Sequence, residues 1–144
     1  MASCVTIDDG CVVRHCKRRL VHGKKVSAEA FRLRCERESN GQWYPEDTYL
    51  SVCWLEFHGG NLDLIRRDIP LKTKRGEHLL VLNIADIVTI QVPSTKGVLS
   101  VKHKPRDGRT DDSHAGICGY RPADNATVGG VLRHRVDRIE PAVP

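Results

Sequence analysis

The chain has 144 residues, a formal net charge of +5 and a hydrophobic content of 40%, which is the composition of a globular domain. Its longest apolar run, around residues 79–82, is far shorter than the roughly 20 residues that cross a bilayer. The first residues also lack the basic and apolar regions of a secretory signal. We therefore expect one globular domain over residues 1–144, located in the cytoplasm and without a membrane segment.

The cysteines are irregularly spaced, at positions 4, 11, 16, 35, 53 and 118. Disulfides are uncommon in a reducing cytoplasm. Free thiols that are buried as small hydrophobic groups are therefore expected.

Basic residues are concentrated near the N-terminus, where six fall within residues 14–25: Arg14, Lys17, Arg18, Arg19, Lys24 and Lys25. Such a cluster permits contact with nucleic acid. However, no aromatic residue is interleaved with it, and single-strand binders use aromatic rings as stacking platforms. A solvated basic face is the favoured interpretation, and nucleic-acid binding is an alternative.

The N-terminal third contains several short predicted elements. The turn residues Asp8-Asp9-Gly10 predict a hairpin between residues 5–7 and 11–16. Residues 26–33 fit neither the helical nor the strand period, so both remain open. Residues 36–47, which include Asn40-Gly41 and Pro45, are predicted to form a loop.

The middle of the chain has clearer patterns. Residues 49–57 predict a central strand buried on both faces. Asn61 predicts the start of a helix that carries Leu62, Ile65 and Ile69 on one face and stops at Pro70. Residues 79–82 then predict a buried strand, and residues 83–90 a short helix.

The C-terminal part combines a strand, a polar segment and a helix. Residues 98–103 alternate as a strand, whereas residues 106–120 form a polar run in which Asp111 and Asp112 are expected to face water. An apolar stripe from Val128 to Ile139 predicts a C-terminal helix. The sum predicts an α+β fold with a mostly antiparallel sheet and two to four helices, including a C-terminal one.

The order of several short motifs resembles a loosely defined group of small bacterial proteins of similar length that carry no established activity. These motifs are Arg14-His15, Arg18-Arg19, His22, Val26-Ser27-x-x-Ala30-Phe31, Leu50-Ser51-Val52 and Ser113-His114-Ala115-x-Ile117. The resemblance implies an intracellular protein of a bacterium or phage, made from a small gene cassette. In such cassettes an accessory or partner role is common.

The histidines and cysteines suggest two kinds of functional site, a zinc site and a nucleophilic active site. Zinc requires four ligands, and Cys11, His15 and Cys16 together with His114 and Cys118 offer suitable types, although no Cys-x2-Cys pair is present. A small enzyme would use His114 with a cysteine, and Cys53 near His58 is a further nucleophile candidate. Ser113 lacks the Gly-x-Ser-x-Gly elbow that would expose a catalytic hydroxyl.

A third possibility is a clamp for a nicotinamide dinucleotide that uses Arg14-His15 and the Ser51-bearing strand. No further motif supplies its catalytic Glu. No cofactor is therefore predicted, and zinc is kept as an alternative.

The favoured interpretation is a non-catalytic accessory subunit that binds a protein encoded by a neighbouring gene. Trp, Tyr and Arg are enriched in the energetically dominant positions of protein interfaces. The candidate binding residues are accordingly Arg14, Arg18, Arg19, Trp43, Tyr44, Arg109, Asp112 and His114.

Overall fold

The computed structural model describes residues 5–69, 73–106 and 109–144. The strands in these residues are β1 (Val5–Thr6), β2 (Cys11–Cys16), β3 (Val21–His22), β4 (Lys25–Val26), β5 (Arg37–Ser39), β6 (Gln42–Tyr44), β7 (Tyr49–Trp54), β8 (His78–Asn83), β9 (Ser100–His103), β10 (His114–Cys118) and β11 (Val136–Pro141). The α helices are α1 (Leu62–Asp68), α2 (Ile84–Ile87) and α3 (Asn125–Leu132). Short 3-10 helices cover Arg18–Leu20, Ala28–Phe31, Leu55–His58, Pro122–Asp124 and Arg133–Arg135.

Seven strands of the described chain form an antiparallel sheet in the order β1-β9-β10-β7-β2-β8-β11. The pairs β3-β4 and β5-β6 form two small ribbons beside it. This confirms the predicted α+β fold, its mostly antiparallel sheet and its two to four helices, with α3 nearest the C-terminus. No helix in the described ranges is long and apolar enough to span a membrane.

The sheet has a fully covered face and a partly covered face. On the first, Val12, Leu80 and Val101 pack under Phe31 and Leu132 in the main hydrophobic core. On the second face, α1 and the 3-10 helix 55–58 cover only part of the sheet. The smaller hydrophobic cluster on this face consists of Val13, Cys53, Leu55, Ile65, Leu79, Val81 and Ala142. Side chains further along β7 and β10 on this second face are therefore left near solvent.

The predicted hairpin between residues 5–7 and 11–16 is wrong. Val5 pairs with His103 of β9, whereas β2 lies between β7 and β8. Val12 and Val13 point to opposite faces and are both buried. A strand that is apolar on both faces gains more from a place inside the sheet than from pairing with a two-residue edge strand.

The ambiguous and loop-like segments also acquire definite structure. Residues 26–33 contain the end of β4 and the 3-10 helix Ala28–Phe31. Instead of a plain loop, residues 37–44 form a hairpin, because Asn40 and Gly41 adopt positive φ angles of 53° and 76°. Two successive residues with positive φ match the turn that best joins twisted antiparallel strands.

Two features of the strand predicted over residues 49–57 are wrong: the strand ends at Trp54, because residues 55–58 form a 3-10 helix, and it is not buried on both faces, since Ser51 is exposed. The other predictions for the middle of the chain are confirmed. β7 lies near the centre of the sheet, and β8 is buried over most of its length. The side chain of Asn61 accepts hydrogen bonds from the backbone of Asp63 and Leu64 and so starts α1. α2 forms within the predicted range, while Pro70, the expected end of α1, lies outside the described residues.

Two C-terminal boundaries differ from expectation. Residues 114–118, which belong to the predicted polar run, form the interior strand β10 between β9 and β7. The apolar stripe of the last helix is interrupted, since α3 ends at Leu132 and both Val136 and Ile139 belong to β11. β-branched residues suit an edge position beside β8, and four of the pairs along β11 are regular.

Candidate functional site

The polar run after β9 is anchored by a buried carboxylate. Asp112 is 0% exposed, and both of its oxygens bind the Arg106 guanidinium at 2.7 Å. Asp112 also accepts hydrogen bonds from the backbone nitrogens of Arg106 and His114. The expectation that Asp112 faces water is therefore wrong, because its four donors replace the water that it gives up, whereas Asp111 is exposed.

A second buried carboxylate lies beneath this run, at the end of α1. Asp68 Oδ2 accepts hydrogen bonds from His58 Nε2 at 2.7 Å and from the backbone nitrogen of Ser113 at 3.0 Å. The Ser113 hydroxyl donates to the same oxygen. Arg109, an exposed candidate binding residue, lies 3.7 Å from Asp68 Oδ1 through its Nη2. The network joins the polar run to α1.

Burial argues against a nucleophile in this network. Cys53 is 6% exposed, and burial raises the pKa of its thiol to about 11. A reactive cysteine instead needs an accessible thiolate beside a cation or base. Ser113 is 0% exposed and its hydroxyl binds a carboxylate rather than a histidine. These side chains stabilise the fold.

An open depression with a volume of about 900 Å³ lies at the end of the sheet where β2 stops and β8 starts. The 3-10 helix after β2 contributes Arg18 and Arg19, and the β3-β4 ribbon contributes His22. Arg75 comes from the segment before β8, and His78 is the first residue of that strand. Among the described residues, the lining consists of Arg18, Arg19, Val21, His22, Arg75, Gly76 and His78. We call it the basic depression.

The positive charge of the basic depression is only partly neutralised by other described residues. Arg18 and Arg75 are exposed and form no ion pair within the described part of the chain. Arg19 binds Glu29 at 3.2 Å, but both side chains are more than half exposed. The Arg18 side chain lies over Gly76, where a Cβ atom would come within 3.0 Å of its Cδ. The absent side chain thus leaves room for the arginine stem.

A second carboxylate, Glu77, lies between Gly76 and His78 of the lining and is engaged elsewhere. Glu77 accepts a hydrogen bond from the Lys74 backbone at 2.7 Å and lies 3.1 Å from His15 Nε2. The Lys74 contact, followed by that of His15, lowers the pKa of the Glu77 carboxyl. This carboxylate is accordingly ionised at neutral pH and paired with His15.

Arg14, another candidate, is not part of the basic depression. Its Nε donates to the carbonyl of Ala30 at 3.0 Å and its Nη1 to the carbonyl of Ser51 at 2.8 Å. β2 and β7 pair only at Val12 and Val13, and Arg14 bridges the gap where they separate. Burial lowers the pKa of this guanidinium. The side chain thus satisfies carbonyls that would otherwise lack partners. This also brings Arg14 against the Ser51-bearing strand.

His114 lies on the partly covered face, beside an exposed serine. Its Nδ1 is 2.7 Å from the carbonyl of Lys104, and its Nε2 is 3.3 Å from Ser51 Oγ. The ring also packs edge-on against Tyr49, with centroids 6.0 Å apart. Ser51 and His114 belong to neighbouring strands in the centre of the sheet.

The structure does not bring the zinc candidates together. Cys11 and Cys16 are at opposite ends of β2, about 16 Å apart along a strand. His15 contacts Glu77, and His114 contacts Lys104 and Ser51. Within residues 5–69, 73–106 and 109–144, no group of three or more His, Cys, Asp or Glu side chains could hold an ion.

Trp43 and Tyr44 lie on the β5-β6 hairpin. Trp43 is 61% exposed and Tyr44 is 37% exposed. The Arg37 guanidinium lies over the Tyr44 ring, 5.4 Å from its centroid. The hairpin therefore presents a large aromatic surface that the rest of the described chain leaves uncovered.

Sequence reasoning identified Arg18 and Arg19 but missed Arg75 and His78 as their neighbours. The pairing of Cys16 with His78 brings these two segments together, although more than 50 residues separate them along the chain. The Arg75-Gly76 turn directly before a buried strand is visible in the sequence. Only the strand order shows that this turn lies beside the segment that contains Arg18 and Arg19.

Comparison with models of protein families, with curated proteins and with solved structures finds no match for this chain. Function is therefore inferred from the geometry and charge of the described residues alone.

Proposed function

We propose that this protein binds nucleic acid through phosphate groups held in the basic depression. The observation that supports this proposal is the convergence of Arg18, Arg19 and Arg75 on one depression, with His22 and His78 beside them. Positive charges on one surface repel one another, and a phosphate-rich ligand relieves that repulsion. Arginine also matches phosphate geometry with paired hydrogen bonds.

The chemistry of the lining favours contact with the backbone of the nucleic acid over its bases. No Phe, Tyr or Trp is among the lining residues in the part of the chain that the structure describes. Base stacking on such rings is what gives single-strand binders much of their affinity. Phosphate contacts position a ligand without reading its sequence. We therefore expect strong dependence on salt and little preference for sequence.

The test is fluorescence anisotropy with labelled oligonucleotides of two unrelated sequences, over a range of salt concentrations. Three phosphate contacts predict a slope of log affinity against log salt of about −2 to −3. In the double variant Arg18→Gln/Arg75→Gln the slope should become shallower by about 1.5 to 2. Affinity at low salt should fall at least tenfold.

The matched control is Arg67→Gln/Lys96→Gln, which removes the same charge at two exposed positions outside the basic depression. It should retain most of the affinity of the unaltered protein. Absence of binding at low salt would overturn the proposal. So would equal losses in the two double variants, because binding would then follow net charge rather than this depression.

A second candidate function is recognition of a protein partner through the β5-β6 hairpin, as an accessory subunit in a bacterial gene cassette. The exposure of Trp43 and Tyr44 favours it, since exposed aromatic residues are costly to leave in water and dominate many interfaces. A protein encoded by an adjacent gene is the expected partner.

This candidate is tested by co-expression with the products of adjacent genes and co-purification. Trp43→Ala/Tyr44→Ala should remove the complex. Val98→Ala is the control, because Val98 is a 54% exposed apolar residue outside the hairpin. If none of those products co-purifies, or if the complex survives the double substitution, the hairpin is not the contact surface.

A further inference from the structure

The geometry points to a second, catalytic site on the partly covered face of the sheet. We propose that Ser51 is a nucleophile and His114 its general base, and that the pair cleaves carboxylic esters. Neither residue lines the basic depression, so this activity is separate from phosphate binding.

The hydrogen bonds of the imidazole define its tautomer. Nδ1 lies 2.7 Å from the Lys104 carbonyl, which can only accept, so Nδ1 carries a proton. In the neutral ring Nε2 then presents its lone pair to the Ser51 hydroxyl at 3.3 Å. A nucleophile, a base and a group that orients the base are the three parts of an activated serine. Contacts of this kind are often slightly long before substrate binds.

The base is held in place by its surroundings. The His114 backbone nitrogen donates to the buried Asp112 carboxylate, which is itself bound to Arg106. On the other side the Tyr49 ring lies over Gly116, the residue that pairs with Ser51. A Cβ atom at Gly116 would come within 2.7 Å of that ring. Glycine at this position thus allows Tyr49 to pack beside the imidazole.

Accessibility separates Ser51 from the other hydroxyl and thiol candidates. Ser113 and Cys53 are buried, whereas Ser51 is exposed although it lies in a central strand. Its side chain emerges where α1 no longer covers the sheet. A substrate can therefore reach the hydroxyl without any rearrangement of the core.

The proposed reaction has two balanced steps. The Ser51 oxygen bonds to the ester carbonyl carbon while its proton passes to His114 Nε2. The bond from that carbon to the leaving oxygen breaks, and Nε2 returns the proton to the departing alcohol. Water then attacks the acyl carbon and gives a proton to Nε2. The carboxylic acid leaves, and Ser51 regains its proton.

Charge near the pair favours an anionic ester. Lys102 pairs with Gly116 across the sheet, and its neighbour Val101 packs into the opposite face, so Lys102 points toward the side that carries Ser51. The Lys104 ammonium lies 4.7 Å from the centroid of Tyr49. We therefore expect a carboxylate-bearing ester to react faster than a neutral one.

The test compares 4-nitrophenyl acetate with 4-nitrophenyl hemisuccinate, following nitrophenol release and mapping the acyl adduct by mass spectrometry. The adduct should lie on Ser51, and the hemisuccinate should react faster after the rate of nitrophenol release without protein, which its own carboxylate accelerates, is subtracted for each ester. Ser51→Ala should abolish both signals. His114→Asn keeps a donor for the Lys104 carbonyl and removes the base, so release should fall about 100-fold.

Ser39→Ala is the control, because Ser39 is an exposed serine on the β5-β6 hairpin and should leave the rate unchanged. Far-ultraviolet circular dichroism and thermal unfolding of each variant establish that it is folded. An unreactive wild-type protein would overturn the proposal. So would an adduct on another residue, or a Ser51→Ala variant that reacts at the wild-type rate.

Discussion

Asp112 and Arg106 form a paired salt bridge in which Nε binds Oδ2 and Nη2 binds Oδ1, each at 2.7 Å. The same guanidinium also donates to the backbone carbonyl of Asp68 at 2.6 Å. The pair therefore connects the polar run to α1. Through the His114 backbone nitrogen, it also fixes the first residue of β10.

Substitution of Asp112 tests how much this pair contributes. Asp112→Asn leaves Arg106 without its carboxylate and introduces an amide group with donors that face other donors. Loss of one partner of a buried pair costs about 3 to 5 kcal/mol. Arg106 retains 26% side-chain exposure, so we expect the lower end of that range. Urea unfolding followed by circular dichroism measures the change.

The control for this experiment is the neighbouring residue. Asp111 is exposed, and Asp111→Asn should change the free energy of unfolding by no more than about 0.5 kcal/mol. Equal effects at the two positions would show that the polar run is solvated in both cases and that the buried pair is not formed in solution.

Stability should fall at acid pH because of the same carboxylates. Burial by itself raises the pKa of Asp112 and of Asp68, but the hydrogen bonds from Arg106 and Ser113, respectively, outweigh burial and hold both values below the usual range. Since the folded pKa is depressed, the unfolded chain binds more protons below about pH 4. The stabilisation is complete above that value and is lost as the pH falls below it.

Urea midpoints measured from pH 6 down to pH 2 check this prediction. The midpoint should be nearly constant at first and then decrease below about pH 4. In Asp112→Asn the decrease should be smaller, because one of the carboxyl groups with a depressed pKa is gone. A profile with the same slope in both proteins would contradict the assignment to Asp112.

The sequence predicted those parts of the fold that depend on local pattern. α1 follows from the capping side chain of Asn61, and β7 and β8 follow from continuous apolar runs. The pairing of β1 with β9 could not be predicted, because it joins residues about 100 positions apart. Nothing local distinguishes this long-range pairing from a hairpin with β2.

The candidate sites were predictable only in part. His114 and Arg18 stood out by residue type, but their functional neighbours, Ser51 and Arg75, are set by strand order and register. Asp112 was predicted to face water but is buried. A charged residue in a polar run is usually solvated, and only the approach of Arg106 makes its burial favourable.

Thiol reactivity provides a third prediction. Burial raises the pKa of both Cys16 and Cys53 to about 11, so almost no thiolate is present at pH 8. Cys35 is exposed. Brief treatment of the native protein with iodoacetamide, followed by peptide mass mapping, should label Cys35 before either buried residue. After unfolding in urea, all three should react at similar rates, and early native labelling of Cys53 would contradict its burial.

Two adjacent glycines in α3 should respond to the same substitution in opposite ways. A Cβ atom at Gly129 would lie 2.8 Å from the carbonyl oxygen of Ala28, so Gly129→Ala forces α3 away from the 3-10 helix beneath it. At Gly130 nothing lies within 4 Å, and alanine there only improves helix propensity. We expect Gly130→Ala to stabilise the protein by about 0.5 to 1 kcal/mol and Gly129→Ala to destabilise it by about 1 to 3 kcal/mol. The free energy of unfolding of both variants is measured by urea unfolding. If both substitutions stabilise the protein, α3 and Ala28 are not in close contact.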